Sequence, residues 1–187
     1  MEKFLDIHQN EDIYIICSGK SCDFIDESFF KNKITLGINQ VYKKFNCKYY
    51  IRKEKKHTDI VLKNISKESK LFVTRGNCGN NNDEYEKYIN NNYKNNKNII
   101  VCNHVPNQNF QIKNINKNHF FNYEKNKKNN KLISTASTLC TGIHLAYYMG
   151  AKNIILVGHD CCLIDNEANF TNYHEKETLT ICWNNQD

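Results

Sequence analysis

The first half of the chain alternates short apolar runs with longer polar stretches. Asp12-Ile13-Tyr14-Ile15-Ile16-Cys17 reads as a buried strand closed by Ser18-Gly19-Lys20-Ser21. Lys33 to Ile38 predicts a second strand and Cys47 to Ile51 a third. Between them, apolar residues at 24, 25, 29 and 30 suit a short helix, and Asn39 to Phe45 suits a helical turn. Strands joined by such short crossovers suggest βαβ units. After a charged segment at 53–69, Leu71 to Thr74 and Ile99 to Cys102 read as two further strands. Between those strands, residues 76–98 are dominated by Asn, with Tyr85, Tyr88, Ile89 and Tyr93 spaced either as a thin helical stripe or as anchors of a loosely ordered insertion. Residues 107–131 form a second Asn/Lys-rich stretch, read as variable and surface-exposed.

The clearest periodicity lies at 132–160. Ser134 and Thr135 offer N-cap oxygens, and apolar or small residues at 136, 139, 140, 143, 146, 147 and 150 follow helical spacing. Gly150 stands where a C′ glycine ends a helix. Ile154 to Val157 then reads as a strand with the all-apolar character of a doubly covered parallel position, followed by Gly158-His159-Asp160. The pattern predicts one α/β Rossmann-like domain over residues 1–187, with a mostly parallel central sheet and helices on both faces. Ligands of open parallel sheets bind outside the carboxyl ends of the strands, so loops 18–23, 38–40, 51–53, 74–77 and 158–174 should face one crevice.

Composition alters this picture in one respect. Among 187 residues there are 31 Asn, 24 Lys, two Arg and a single proline, Pro106, with a formal charge of +6. That skew is what an AT-rich genome writes into tolerant positions, so the positive charge is weak evidence for a nucleic acid partner, and none is expected. No run reaches the ~18 apolar residues of a membrane span, and Met1-Glu2-Lys3 opens without an apolar signal segment; the chain reads as soluble and cytoplasmic. Nine cysteines, scattered and without a C-x-x-C pair, read as buried thiols rather than a metal site, with Cys161-Cys162 as a packing pair.

Several residues at strand ends carry candidate chemistry. Gly19-Lys20-Ser21 makes a tight turn able to present N–H groups and a hydroxyl to a phosphate or ribose, without matching the Walker A or dinucleotide fingerprints. Asn39 offers an amide that both donates and accepts, with a helix cap as its plain alternative. The hydroxyls of 134–138 gather at the positive end of a helix, for anion binding or simple capping. Asp160 follows a buried strand, where a carboxylate is costly unless paired or used. His174, in the following loop, is placed to act as a general base, with His159 as its nearer rival and His144 on a core-facing helix.

Together these segments resemble the bacterial sialyltransferases of glycosyltransferase family 42 and the wider group of motility-accessory flagellin glycosyltransferases and archaeal 6-hydroxymethylpterin diphosphokinase. The resemblance covers about residues 12–52 and 132–180 and is carried by Ile16 to Ser21, Ile38 to Tyr42, Thr138 to Asp160 and His174 to Thr178. It implies that Ser18, Gly19, Ser21 and Asn39 hold the cytidine nucleotide of a CMP-sugar, that Thr138 contacts nucleotide or sugar, and that His174 deprotonates the acceptor hydroxyl. Ser18 stands for the family's asparagine and Lys20 for its proline, and Arg52 lies near a third-strand asparagine, where it would meet a phosphate instead. Two tyrosines that assist the departing phosphate are replaced by Cys162 and Ala168, leaving Tyr173, Lys20 and Arg52 to substitute. The expectation is therefore a metal-independent glycosyltransferase moving a sugar from a CMP-sugar to a glycan or glycoconjugate hydroxyl. The alternatives are a pterin diphosphokinase-like phosphotransferase using Mg-ATP, with Asp160 at the metal, and a catalytically silent domain that binds nucleotide or glycan.

Overall fold

The computed structural model describes residues 1–53, 58–74, 84–102, 104–106, 127–134 and 137–173. In chain order the elements are β1 (Asp12–Ile16), β2 (Ile34–Ile38), β3 (Tyr49–Arg52), α1 (Thr58–Asn64), β4 (Lys70–Thr74), α2 (Glu84–Tyr93), β5 (Ile99–Cys102), β6 (His104–Pro106), β7 (Leu132–Ser134), α3 (Thr138–Tyr148) and β8 (Asn153–Val157). Six strands form one all-parallel sheet in the order β5-β4-β3-β2-β1-β8, and β6 and β7 make a separate parallel pair. The chain is a Rossmann-like α/β domain, as its pattern predicts.

Strand order explains where the helices go. From β1 to β5 each new strand is added on the same side, so right-handed crossovers put those connections on one face of the sheet. The return to β8, on the other side of β1, brings α3 to the opposite face. Side-chain alternation divides the core accordingly. Ile13, Ile15, Leu36, Ile38, Tyr49, Ile51 and Phe72 pack with Leu145, Ala146, Tyr148 and Met149 of the α3 segment. Ile16, Tyr50, Leu71 and Val73 pack with Val61 of α1, Ile89 of α2, and Phe170 and Tyr173 beyond β8.

Five local expectations change, the first at the start of α3: Ser134, expected to offer a cap, ends β7, and Ser137 is the N-cap. The short helices expected around 23–30 and 39–45 are 3₁₀ turns, at Lys20–Phe24, Glu27–Phe30 and Val41–Lys43. The short crossover tightens around polar caps, with the Asp26 carboxylate accepting from the Ser28 N–H at 2.8 Å. The charged 53–69 segment contains α1, whose Val61 and Thr58 are buried. The 76–98 stretch contains the helix α2 with Ile89 buried, and of 107–131 only 127–131 lies among the described residues. Finally, β8 is not doubly covered: Leu156 is 40% exposed, and among the described residues β8 lies at the edge of the sheet, beyond β1. Gly150 ends α3 with a φ of 89°, as its position suggested.

Leu145 joins α3 to the central strands and is fully buried. Leu145→Ala is expected to lower unfolding free energy by about 2–5 kcal/mol, measured by urea denaturation.

Candidate nucleotide site

The strand order reverses between β1 and β8, so the loops after these strands part company at the carboxyl edge of the sheet. They are tied together again at once. The Asp160 carboxylate accepts from the Ser21 N–H at 2.7 Å and from the Ser21 hydroxyl at 2.5 Å, and the Gly19 N–H donates to the Gly158 carbonyl at 2.7 Å. The approach is so close that a Cβ on Gly19 would lie 2.5 Å from both the Asp160 carboxylate and the Gly158 oxygen. A Cβ on Gly158 would meet the Cys22 sulfur at 2.2 Å, and its φ of 64° is left-handed as well. Ser21, Gly19 and Asp160 thus come together as a clasp, their polar groups directed at one another. Burial, followed by the Asp160 charge, pushes the thiols of Cys17 and Cys22 up to about 12, so neither is a thiolate at neutral pH.

One strand further in, the carboxyl ends of β1, β2 and β3 bring Ser18, Asn39, Arg52 and Lys53 to one place. Asn39 adopts a left-handed φ of 55°, a conformation asparagine tolerates, and its N–H continues the ladder to the Ile51 carbonyl at 3.2 Å. It is not the cap of the following turn, a position held by Gln40. Arg52 and Lys53 are only 3% and 7% exposed. The Arg52 guanidinium donates to the Asn39 carbonyl at 3.3 Å, and the Lys53 ammonium donates to the Ser137 carbonyl at 2.9 Å. The second bond sets the first turn of α3, including Thr138, beside the end of β3. Ser137 does not cap that helix with its side chain.

The segment after β8 returns across this site as a strap. A tight reversal at Ile164–Glu167, with Asp165 and Asn166 both left-handed, turns the chain back. The Phe170 N–H then donates to the Ser18 carbonyl at 2.9 Å, and the Lys43 ammonium to the Tyr173 carbonyl at 3.1 Å. Asp23 holds the middle of the strap: it accepts from the Thr171 N–H and hydroxyl at 2.9 and 2.7 Å and from Lys44 at 2.7 Å, while Lys20 bridges Asp23 at 3.1 Å and Glu167 at 2.5 Å. Burial works to raise the Asp23 carboxyl, but its bonds from Lys44, Thr171 and Lys20 prevail and hold it well below the usual carboxylate range. Lys20 is thereby committed to the strap. Tyr173 is 8% exposed, its ring edge-on to Phe170 at 5.1 Å. Burial pushes the Tyr173 hydroxyl up, against the opposing pull of Ser18, Asn39, Arg52 and Gln40.

Of the residues singled out in the sequence, Asn39 and Arg52 meet through the Asn39 carbonyl, Ser18 follows the end of β1, Thr138 follows the Ser137 that Lys53 binds, and Gly19, Ser21 and Asp160 form the clasp. His174 lies outside the described residues, although Tyr173, the residue before it in the chain, stands at the site. His159 is exposed and His144 is buried in α3. Cys161 and Cys162 are exposed, not packed, because they follow the open edge strand, whereas Cys17, Cys22, Cys47 and Cys102 are buried. Lys53, Asp23 and Lys44 escaped notice among ordinary surface charges; the aromatic pair Phe170 and Tyr173 was the available signal for the strap. No three His, Cys, Asp or Glu among the described residues are grouped to hold a metal ion, and no described helix is long and apolar enough to cross a membrane. Comparison with known proteins adds no relative: no family model matches the chain, and no curated protein matches it.

The depressed acidity of Asp23 has a measurable sign. Its carboxylate contributes stability that is fully present above the ordinary value of 3.8 and is lost as pH falls from there toward the lower folded value. In urea denaturation from neutral pH to pH 3, the wild type should exceed Asp23→Asn by a constant margin above about pH 5 and by a shrinking one below pH 4.

Proposed function

We propose that the crevice over β1, β2 and β3 binds a nucleotide-activated sugar, a CMP-sugar, and that the chain transfers the glycosyl group to a hydroxyl acceptor. The observation that carries this reading is the pair of buried cations, Arg52 and Lys53, held at the carboxyl end of a central parallel strand beside Asn39, Ser18 and the start of α3. Cationic and N–H donors converging there suit a phosphate, and phosphate sites of parallel sheets lie at this end. Asn39 and Ser18 supply neutral partners for ribose or base, and Thr138 a hydroxyl at the helix opening.

In the transfer, the acceptor oxygen attacks the anomeric carbon and the bond from that carbon to the phosphate oxygen breaks. CMP leaves with the electron pair, and His174 takes the acceptor's proton. Arg52 and Lys53 meet the charge that gathers on the departing phosphate. Asp160, the metal carboxylate of the phosphotransferase alternative, is engaged by Ser21 through both oxygens, which also commits Ser21 to the clasp and leaves the nucleotide to Ser18, Asn39, Arg52 and Lys53.

A thermal-shift panel of CMP, CDP, UDP, ATP and GTP, run with and without Mg²⁺, tests the reading. Stabilisation by CMP without metal is expected; stabilisation by ATP alone, dependent on Mg²⁺, would select the phosphotransferase instead. With a CMP-sugar donor, His174→Ala should lose about 10²–10⁴-fold in turnover while still binding CMP. Full activity in that variant would remove His174 from the mechanism.

A further inference from the structure

The turn after β1 has the makings of a phosphate cradle and already holds an anion. In parallel sheets the turn after the first strand presents its N–H groups to a phosphate, at the point where strand order reverses. Here that turn is Gly19-Lys20-Ser21, and the reversal lies between β1 and β8. The Ser21 N–H and hydroxyl converge on one anionic group, donating at 2.7 and 2.5 Å to the two oxygens of the Asp160 carboxylate. Gly19 leaves room for that group, since a Cβ there would stand 2.5 Å from it. The Gly19 N–H donates to the Gly158 carbonyl at 2.7 Å, which draws the loop after β8 over the turn. Two donors of one residue meeting two oxygens of one group, beside a glycine, are the contacts a phosphate takes. The negative field there also reaches Cys17 and Cys22, where it adds to burial in raising both thiols.

We infer that Asp160 is a specificity residue: its carboxylate occupies the 19–21 cradle in place of a phosphate and so bars the crevice to ligands that carry a second phosphoryl group. That a first phosphate sits at Arg52 rests on the nucleotide reading proposed above; the occupied cradle does not. The Arg52 guanidinium reaches the Asn39 carbonyl at the end of β2, and the end of β1 lies one strand further, about 5 Å away. A diphosphate held at Arg52 therefore has the cradle as the neighbouring phosphate position, where it meets a carboxylate and finds the donors engaged. Like charges brought together in a binding site weaken association steeply. A monophosphate ends short of that contact. One carboxylate thus ties β8 to β1 and selects donors linked through one phosphate over donors linked through two.

CMP, CDP and inorganic pyrophosphate, each titrated calorimetrically without metal into the full chain and its Asp160→Ala, Asp160→Asn and Ser21→Ala variants, test this, with cooperative unfolding as the check on fold. The wild type should bind CMP at least about tenfold more tightly than CDP. Asp160→Ala frees both donors and space, and should raise the affinity for pyrophosphate and the ratio of CDP to CMP affinity at least about tenfold. Asp160→Asn keeps the shape of the group without its charge and should give a smaller gain of the same sign; if Asp160→Ala does not fold, this variant decides. Ser21→Ala removes the cradle's donors and should gain nothing. A wild type that binds CDP as tightly as CMP overturns the inference. So does an equal gain in Ser21→Ala, which would come from a loosened clasp and not from a vacated cradle. If CMP binds the wild type and neither Asp160 variant gains for CDP or pyrophosphate, the occupied cradle fails and the nucleotide reading stands. If the Asp160 variants gain for pyrophosphate while no form binds CMP, the cradle stands and the nucleotide reading fails.

Discussion

The hydrogen bonds between Asp160 and Ser21 hold the molecule's top edge together across 139 residues of sequence. In a sheet whose strand order reverses between β1 and β8, the loops after those two strands diverge, and the gap is where ligands of such folds usually lie. Here the gap is filled by the clasp: a carboxylate accepting twice from one serine, resting on a glycine that leaves no room for a side chain. Hydrogen bonds to a charged group are worth about 1.5–3 kcal/mol each, so the clasp is strong for its size. Its consequence is to move the open polar ground one strand inward, to the ends of β1, β2 and β3.

That inward position explains why two cations are buried there. Arg52 and Lys53 sit where the sheet is covered on both faces, and a charge in such a place is expensive without acceptors around it. The Asn39 and Ser137 carbonyls supply part of that compensation while tying β2 to β3 and β3 to α3. The same bonds that stabilise the cations fix the geometry of the crevice. The strap completes it, since Asp23 gathers Lys20, Lys44 and Thr171 on one carboxylate and so positions Phe170 and Tyr173.

All six strands of the sheet were legible because buried parallel strands read as apolar runs, and α3 was legible as a helix but not in its start or its buried face, which carries Thr141, Leu145 and Tyr148 while Cys140 is exposed. The edge position of β8 was not, since Ile154-Ile155-Leu156-Val157 has the same character at an edge as in the middle; only strand order separates the two. α1 hid in a charged segment because seven residues expose more polar than apolar positions. In the site, Ser18, Asn39 and Arg52 were found because strand ends are where a parallel sheet places its chemistry. Lys53 was invisible as one of 24 lysines, and the Asp23 latch joins residues 148 apart, which no local pattern encodes. Tyr173, a stand-in for the missing tyrosines in the sequence, owes its packing on Phe170 and its bond from Lys43 to the strap, a tertiary feature.

Equilibrium binding of CMP to the wild type and to Arg52→Gln tests most directly the proposal that Arg52 makes this crevice a phosphate site. Cooperative unfolding of the variant serves as the check on its fold. The account predicts a loss of at least about tenfold in affinity, the equivalent of about 1.4 kcal/mol, with the variant still folded. Equal affinities in a folded variant would contradict it.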